Sequence, residues 1–141
     1  MRYDTTKHNL NWNRFSDAKS HIERWHKSST KPFKMMHNTY ATFDPYADRI
    51  YINLHWTDIY QIEQRHDKGE EFPHSVVTLN SGGYRTVTTK DRMNRFLPLG
   101  YRIVQRNFNW ILQVLETLDG ESQWNNQELF YDGMQIRLPI A

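Results

Sequence analysis

The stretch Leu79–Pro98 reads LNSGGYRTVTTKDRMNRFLP. It predicts a strand end, a glycine turn, a short second strand and a basic helix in one uninterrupted unit. Val76–Asn80 has the alternating pattern of a strand, and Ser81-Gly82-Gly83 supplies the positive-φ positions of a tight hairpin, with Tyr84–Val87 as the returning strand. Thr88 or Thr89 is placed to cap a helix over about residues 88–97, with Asp91 near its positive end. Thr89, Met93, Phe96 and Leu97 would face the core, and Pro98 and Gly100 stop the helix.

Upstream, Thr39–Phe43 and Arg49–Trp56 alternate as strands around the turn-forming Asp44-Pro45-Tyr46-Ala47-Asp48. Ile50, Ile52, Leu54 and Trp56 are predicted on one buried face, and Tyr51, Asn53 and His55 on the other. Asp58–Ile62 reads as a further strand and Glu63–Ser75 as an exposed loop. The first 13 residues read as a loose polar arm with Tyr3 and Trp12 as anchors. Residues 17–27, capped by Ser16, read as an amphipathic helix on Ala18, Ile22 and Trp25.

Downstream, Tyr101–Gln105 and Trp110–Leu115 form a hairpin across Arg106-Asn107-Phe108-Asn109. Residues 117–127 read as a polar loop, and Glu128–Tyr131 and Met134–Leu138 as a hairpin on Asp132-Gly133. Hairpin signals dominate and no βαβ alternation occurs. The predicted class is therefore α+β, a mostly antiparallel hairpin-built sheet with an N-terminal amphipathic helix and one short helix. The 141 residues suit a single domain, residues 1–36 forming a basic arm and helix and residues 37–141 the sheet core. Twenty aromatic residues argue against disorder.

Net charge is +2, but it is segmented: +5 over residues 1–38, −4 over 39–84, +5 over 85–106 and −4 over 107–141. Such blocks either neutralise one another across the fold or make one basic and one acidic face. There is no cysteine, hence no disulfide framework and no thiolate nucleophile or ligand. No apolar run resembles a signal sequence or a membrane span, and the chain reads as soluble and intracellular.

Catalytic signatures are missing: no P-loop, no G-x-G-x-x-G, no G-x-S-x-G and no H-E-x-x-H. His21 and His26 fall about 140° apart on a helix and cannot share a metal. His55 with Asp58, or His66 with Asp67 and His74, would form a site only through the fold. The expectation is a non-enzyme with no metal and no cofactor. Arg85, Lys90, Arg92, Arg95, Arg102 and Arg106 lie in one 22-residue span with Tyr84 and Tyr101 interleaved. Guanidinium forks match phosphate oxygens and aromatic faces stack on bases, so Arg85, Lys90, Arg92, Arg95, Arg102, Tyr84 and Tyr101 are the candidate nucleic-acid contacts. The competing reading is a solvated helix face, since Asp91 and Arg95 form a favourable i, i+4 pair. A second basic surface would run along Lys7, Arg14, Lys19, Arg24, Lys27, Lys31 and Lys34.

Three stretches together, LNSGGYRTVTTKDRMNRFLP, Asn38-Thr39-Tyr40 and Phe130-Tyr131-Asp132-Gly133-Met134, resemble a family of small bacteriophage and mobile-element proteins to which no activity is assigned. Leu54-His55-Trp56-Thr57-Asp58-Ile59 shares the look. The resemblance covers about His37 to Leu138, and the longer loop from Glu63 to Ser75 and the basic N-terminal 36 residues read as additions of this chain. It implies a phage-type accessory protein in the host cytoplasm, acting by binding. The leading expectation is a partner of nucleic acid or nucleoprotein. The alternative is a protein-binding inhibitor of a host system, anti-CRISPR or otherwise anti-defence, whose acidic blocks occupy sites meant for nucleic acid. A virion structural protein and a metal-dependent hydrolase built on His55 and Asp58 rank below these.

Overall fold

A computed structural model describes residues 9–25 and 31–141. Over the described residues the fold is α+β, mostly strand with two helices, and every strand pair is antiparallel. Helix α1 (Phe15–Trp25) is followed by β1 (Phe33–Met36), β2 (Thr39–Asp44), β3 (Arg49–Leu54), β4 (Thr57–Arg65) and β5 (His74–Leu79). Helix α2 (Val87–Phe96), β6 (Tyr101–Arg106), β7 (Asn109–Leu118), β8 (Glu121–Leu129) and β9 (Met134–Leu138) complete it. Two sheets result, ordered β1-β2-β3-β4-β5-β9 and β6-β7-β8. Among the described residues no helix is long and apolar enough to cross a membrane.

The alternation read from the sequence sets the register of the larger sheet. Ile50 faces Ile62, which faces Val77, which faces Ile136; Ile52, Tyr60, Leu79 and Met134 form the next such row. This buried side meets Phe15, Ala18 and Ile22 of α1 and Met93 and Phe96 of α2 in one apolar cluster. Trp12, Tyr60 and Phe96 pack ring on ring within it, with centroids 5.1–6.0 Å apart.

Several local expectations are corrected. The segment preceding α1 is not loose where it is described: the N–H groups of Leu10, Asn11 and Trp12 donate to the carbonyls of Arg95 and Phe96, closing the end of α2. Tyr3, Lys7, His26, Lys27 and the side chain of Trp25 lie outside the described residues. Helix α1 begins at Phe15, because the hydroxyl of Ser75 on β5 accepts its N–H at 2.8 Å. The strand predicted over Tyr84–Val87 does not form; the double-glycine turn delivers the chain to α2, capped by Thr86 (its hydroxyl accepts from Thr89 N–H at 3.1 Å) rather than Thr88 or Thr89. Asp91 therefore sits mid-helix, away from the positive end.

The predicted polar loops are shorter than read. Strand β4 continues to Arg65, and β7 and β8 run through residues 117–127 around Asp119-Gly120. Asp132-Gly133 joins strands of different sheets, so it is a crossing between layers and not a hairpin. Phe33–Met36 forms a strand that the sequence pattern did not reveal. Trp56 leaves the buried face on which it was expected and stands exposed at the β3–β4 turn.

Candidate interaction surface

The structure divides the predicted phosphate contacts into three groups. Arg92 and Arg95 both engage Asp91, at 2.6 and 3.0 Å, and Arg92 Nε also donates to Thr39 Oγ1 at the start of β2. Arg85 turns the other way, its guanidinium 4.7 Å from the ring centre of Phe130 and 5.6 Å from that of Trp110. Arg102 lies 4.0 Å over Trp124 and donates to Gln113. Trp110 shares the buried side of the small sheet with Ile103 and Leu112, whereas Trp124 pairs with Leu115 on the opposite side. Arg85 and Arg102 thus stack on opposite faces of one sheet. Tyr101 is half-buried against the core, Lys90 is half-buried on α2, and only Tyr84 presents an open ring.

A different surface emerges where the turns meet. His55 and Trp56 form the two-residue turn between β3 and β4, both left-handed, with φ of 47° and 72°. Such turns favour Asn-Gly because a bulky side chain is strained at positive φ. Asn53 Oδ1 accepts the Trp56 N–H at 3.1 Å and fixes the turn, and the Trp56 ring remains 97% exposed. The β6–β7 turn repeats the arrangement: Asn107 and Phe108 have φ of 50° and 68°, and Phe108 is 94% exposed. Both turns carry an aromatic ring that neither packing nor turn geometry requires.

The double-glycine turn ties these together. Gly82 lies directly against Thr57, the residue after Trp56. A groove of about 500 Å³ runs between Trp56 and Tyr84, floored by Thr57, Ser81 and Thr86. On the other side Ser81 bonds to Asp132, and Arg85 covers Phe130 and Trp110 beside the Phe108 turn. Trp56, Tyr84, Tyr131 and Phe108 consequently project from one end of the molecule, all more than half exposed. Asp132 is held below its ordinary value: burial works against this, but the Ser81 N–H and hydroxyl and the charge of Arg85 outweigh it.

Two clusters of ionisable groups elsewhere are satisfied internally. Buried Glu63 lies between Arg49, at 2.6 Å, and Arg65. Asp67, Glu70 and buried His74 come together, as the sequence allowed for Asp67 and His74, and Arg137 stands among them. Its guanidinium lies 2.9 Å from Glu70, 3.6 Å from Asp67 and 3.1 Å from His74 Nε2, supplying the positive charge there. Arg137's hydrogen bond, with a smaller contribution from His74, pulls Glu70 down to about 2 against the opposing effect of desolvation. His66 bonds through its ring to the Glu70 carbonyl, and Asp58 accepts from Asn53 beside the Trp56 turn.

The family model for the Kyanoviridae Gp96 protein matches residues 19–137. The chain belongs to that phage protein family. No curated protein and no solved structure matches it. The match takes in most of α1 and all of β1, so part of the N-terminal region read as an addition of this chain lies within the family's extent. It also spans every residue of the aromatic end. In the sequence, Trp56 and Phe108 carried one missed signal: an aromatic at the second position of a two-residue turn, where glycine is expected.

Proposed function

We propose that this Gp96-family chain is a non-catalytic phage accessory protein that works by binding a protein of the infected cell through the end bearing Trp56, Tyr84, Tyr131 and Phe108. The observation that carries this reading is the placement of Trp56 and Phe108: strained backbone, almost complete exposure and no packing role. Strain kept at exposed positions is characteristic of functional sites. Trp, Tyr and Arg anchors at the centre of a patch supply most of the energy of protein interfaces. The turns that build this end and the residues flanking them hold Arg85 and Arg106 against Asp58 and Asp132, an even balance that suits a protein better than a phosphate backbone.

The nucleic-acid reading keeps one specific observation, the adjacency of open Tyr84 to Arg85, a stacking ring beside a guanidinium. Affinity capture from nuclease-treated lysate of infected cells separates the two. A stoichiometric protein partner lost on Trp56→Ala and Tyr84→Ala, with circular dichroism unchanged, supports the protein reading. Salt-dependent binding of single-stranded oligonucleotides at micromolar protein, with no nuclease-resistant partner, replaces it by the nucleic-acid reading.

A further inference from the structure

The β7–β8 hairpin presents a second surface of different chemistry. From Asn107 to Ile136 the chain has no lysine or arginine, and Glu116, Asp119, Glu121 and Glu128 all lie on this hairpin. Among the described residues no ion pair engages any of the four; Glu116 accepts a hydrogen bond from the Asn125 amide, which leaves its charge intact. No residue of β8 is buried, and β8 pairs with β7 alone, so its nine-residue outer edge is open among the described residues. Strand β7 spans about 30 Å, placing the acidic tip at the far end from Phe108.

An open strand edge accepts another strand through its backbone groups. A second copy of this chain is a poor occupant. Antiparallel pairing of two β8 strands about their centres gathers the unpaired Glu121 of one copy and Glu128 of the other at each end of the ladder, and like charges held that close disfavour the pairing. The same two carboxylates favour an incoming strand that carries cations. We infer that the outer edge of β8 receives an extended, lysine- or arginine-rich segment of a partner protein, with Glu121 and Glu128 gripping its charges and the β8 backbone completing the ladder. This inference is independent of the aromatic end.

The test is a titration of the full chain with a short peptide of alternating lysine and threonine, read by anisotropy and by amide hydrogen exchange. Binding that weakens with salt, together with new protection of alternate β8 amides, is expected. Glu121→Gln with Glu128→Gln should weaken binding about tenfold, while Asp17→Asn with Glu23→Gln, and Trp56→Ala, leave it unchanged. Equal loss in the Asp17/Glu23 control, or binding without protection in β8, overturns the inference, as does undiminished binding by the Glu121/Glu128 variant.

Discussion

Asp132 Oδ1 accepts two hydrogen bonds from Ser81, one from its backbone N–H and one from its hydroxyl, each at 2.7 Å. One residue on, Gly133 N–H donates to the Leu79 carbonyl at 2.8 Å. The two stretches most distinctive in the sequence, LNSGGYR and FYDGM, are thus the two halves of one lock between the sheets, completed by Arg85 over Phe130. Arg85, chosen from the sequence as a phosphate contact, has a structural use here.

Because Ser81 is buried, removing the carboxylate strands two donors. Asp132→Ala is expected to cost about 2 kcal/mol in urea denaturation, and Ser81→Ala less. Combined, the two should be clearly less damaging than the sum of the singles, the mark of a shared interaction. Asp132→Asn keeps an acceptor and should fall between wild type and Asp132→Ala.

The two glycines of the same turn are unequal. Both have positive φ, 62° at Gly82 and 85° at Gly83. A Cβ at Gly82 would stand 2.8 Å from Thr57 Cγ2 and Oγ1, whereas one at Gly83 meets nothing within 4 Å. Gly83→Ala is expected to cost about 1 kcal/mol from backbone strain alone, and Gly82→Ala about 2 or more. Adding Thr57→Ala to Gly82→Ala should recover the steric part, seen as a partial return of the thermal midpoint.

Acid should destabilise the fold through several groups of one sign. Glu70 and Asp132 lie below their ordinary values when folded, and burial with the nearby Arg24 charge lowers His21 from 6.5. A group with a depressed folded value leaves the unfolded chain to take protons first, so stability is complete above the unfolded value and is lost as pH falls through the folded one. For His21 the decline begins below 6.5, and for Glu70 it runs from 4.5 down to about 2. Urea midpoints measured from about pH 7 to about pH 3 should fall throughout, and Glu70→Gln should flatten the lower part of that curve.

How far the sequence revealed the fold depended on what each residue faces. Ile50, Ile52 and Leu54 face the core through a one-sided sheet, and their alternation was readable. β8 was not readable, because a strand with no buried residue has no apolar period to detect; ESQWNNQEL looks like a loop. Phe33–Met36 is too short to show a period, and its bulged pairing with β2 interrupts what there is. The cation cluster failed as a spatial reading for a related reason. Residues 85, 92 and 102 fall on a turn, a helix and a strand, and adjacency in sequence says nothing of the direction each then faces. Asp67, Glu70 and His74 meet across the β4–β5 connection, and their further partner Arg137 comes from β9, more than 60 residues on, where local sequence gives no sign of it.

Tyr60 gives a prediction in the opposite direction. It is fully buried beside Trp12 and Phe96, and its hydroxyl has no hydrogen-bond partner among the described residues. Burial pushes its ionisation up, so the phenol stays neutral. Tyr60→Phe keeps the ring packing and removes an unpaired polar group, and it should be neutral or stabilising by up to about 1 kcal/mol in thermal denaturation.

Trp56 and Phe108 separate stability from function most sharply. A nonglycine residue in the left-handed region costs about 1–2 kcal/mol, and a fully exposed ring returns none of that through burial. Trp56→Gly and Phe108→Gly should each therefore raise stability by about 1 kcal/mol, after allowing for the greater freedom of glycine in the unfolded chain. Under the proposed function the same substitutions remove a binding anchor, so capture of the partner should drop as the melting temperature rises. A fall in stability would show that these rings pack against the protein in solution. A rise in stability with undiminished capture would mean that the partner docks elsewhere and that the strain at His55-Trp56 serves some purpose other than recognition.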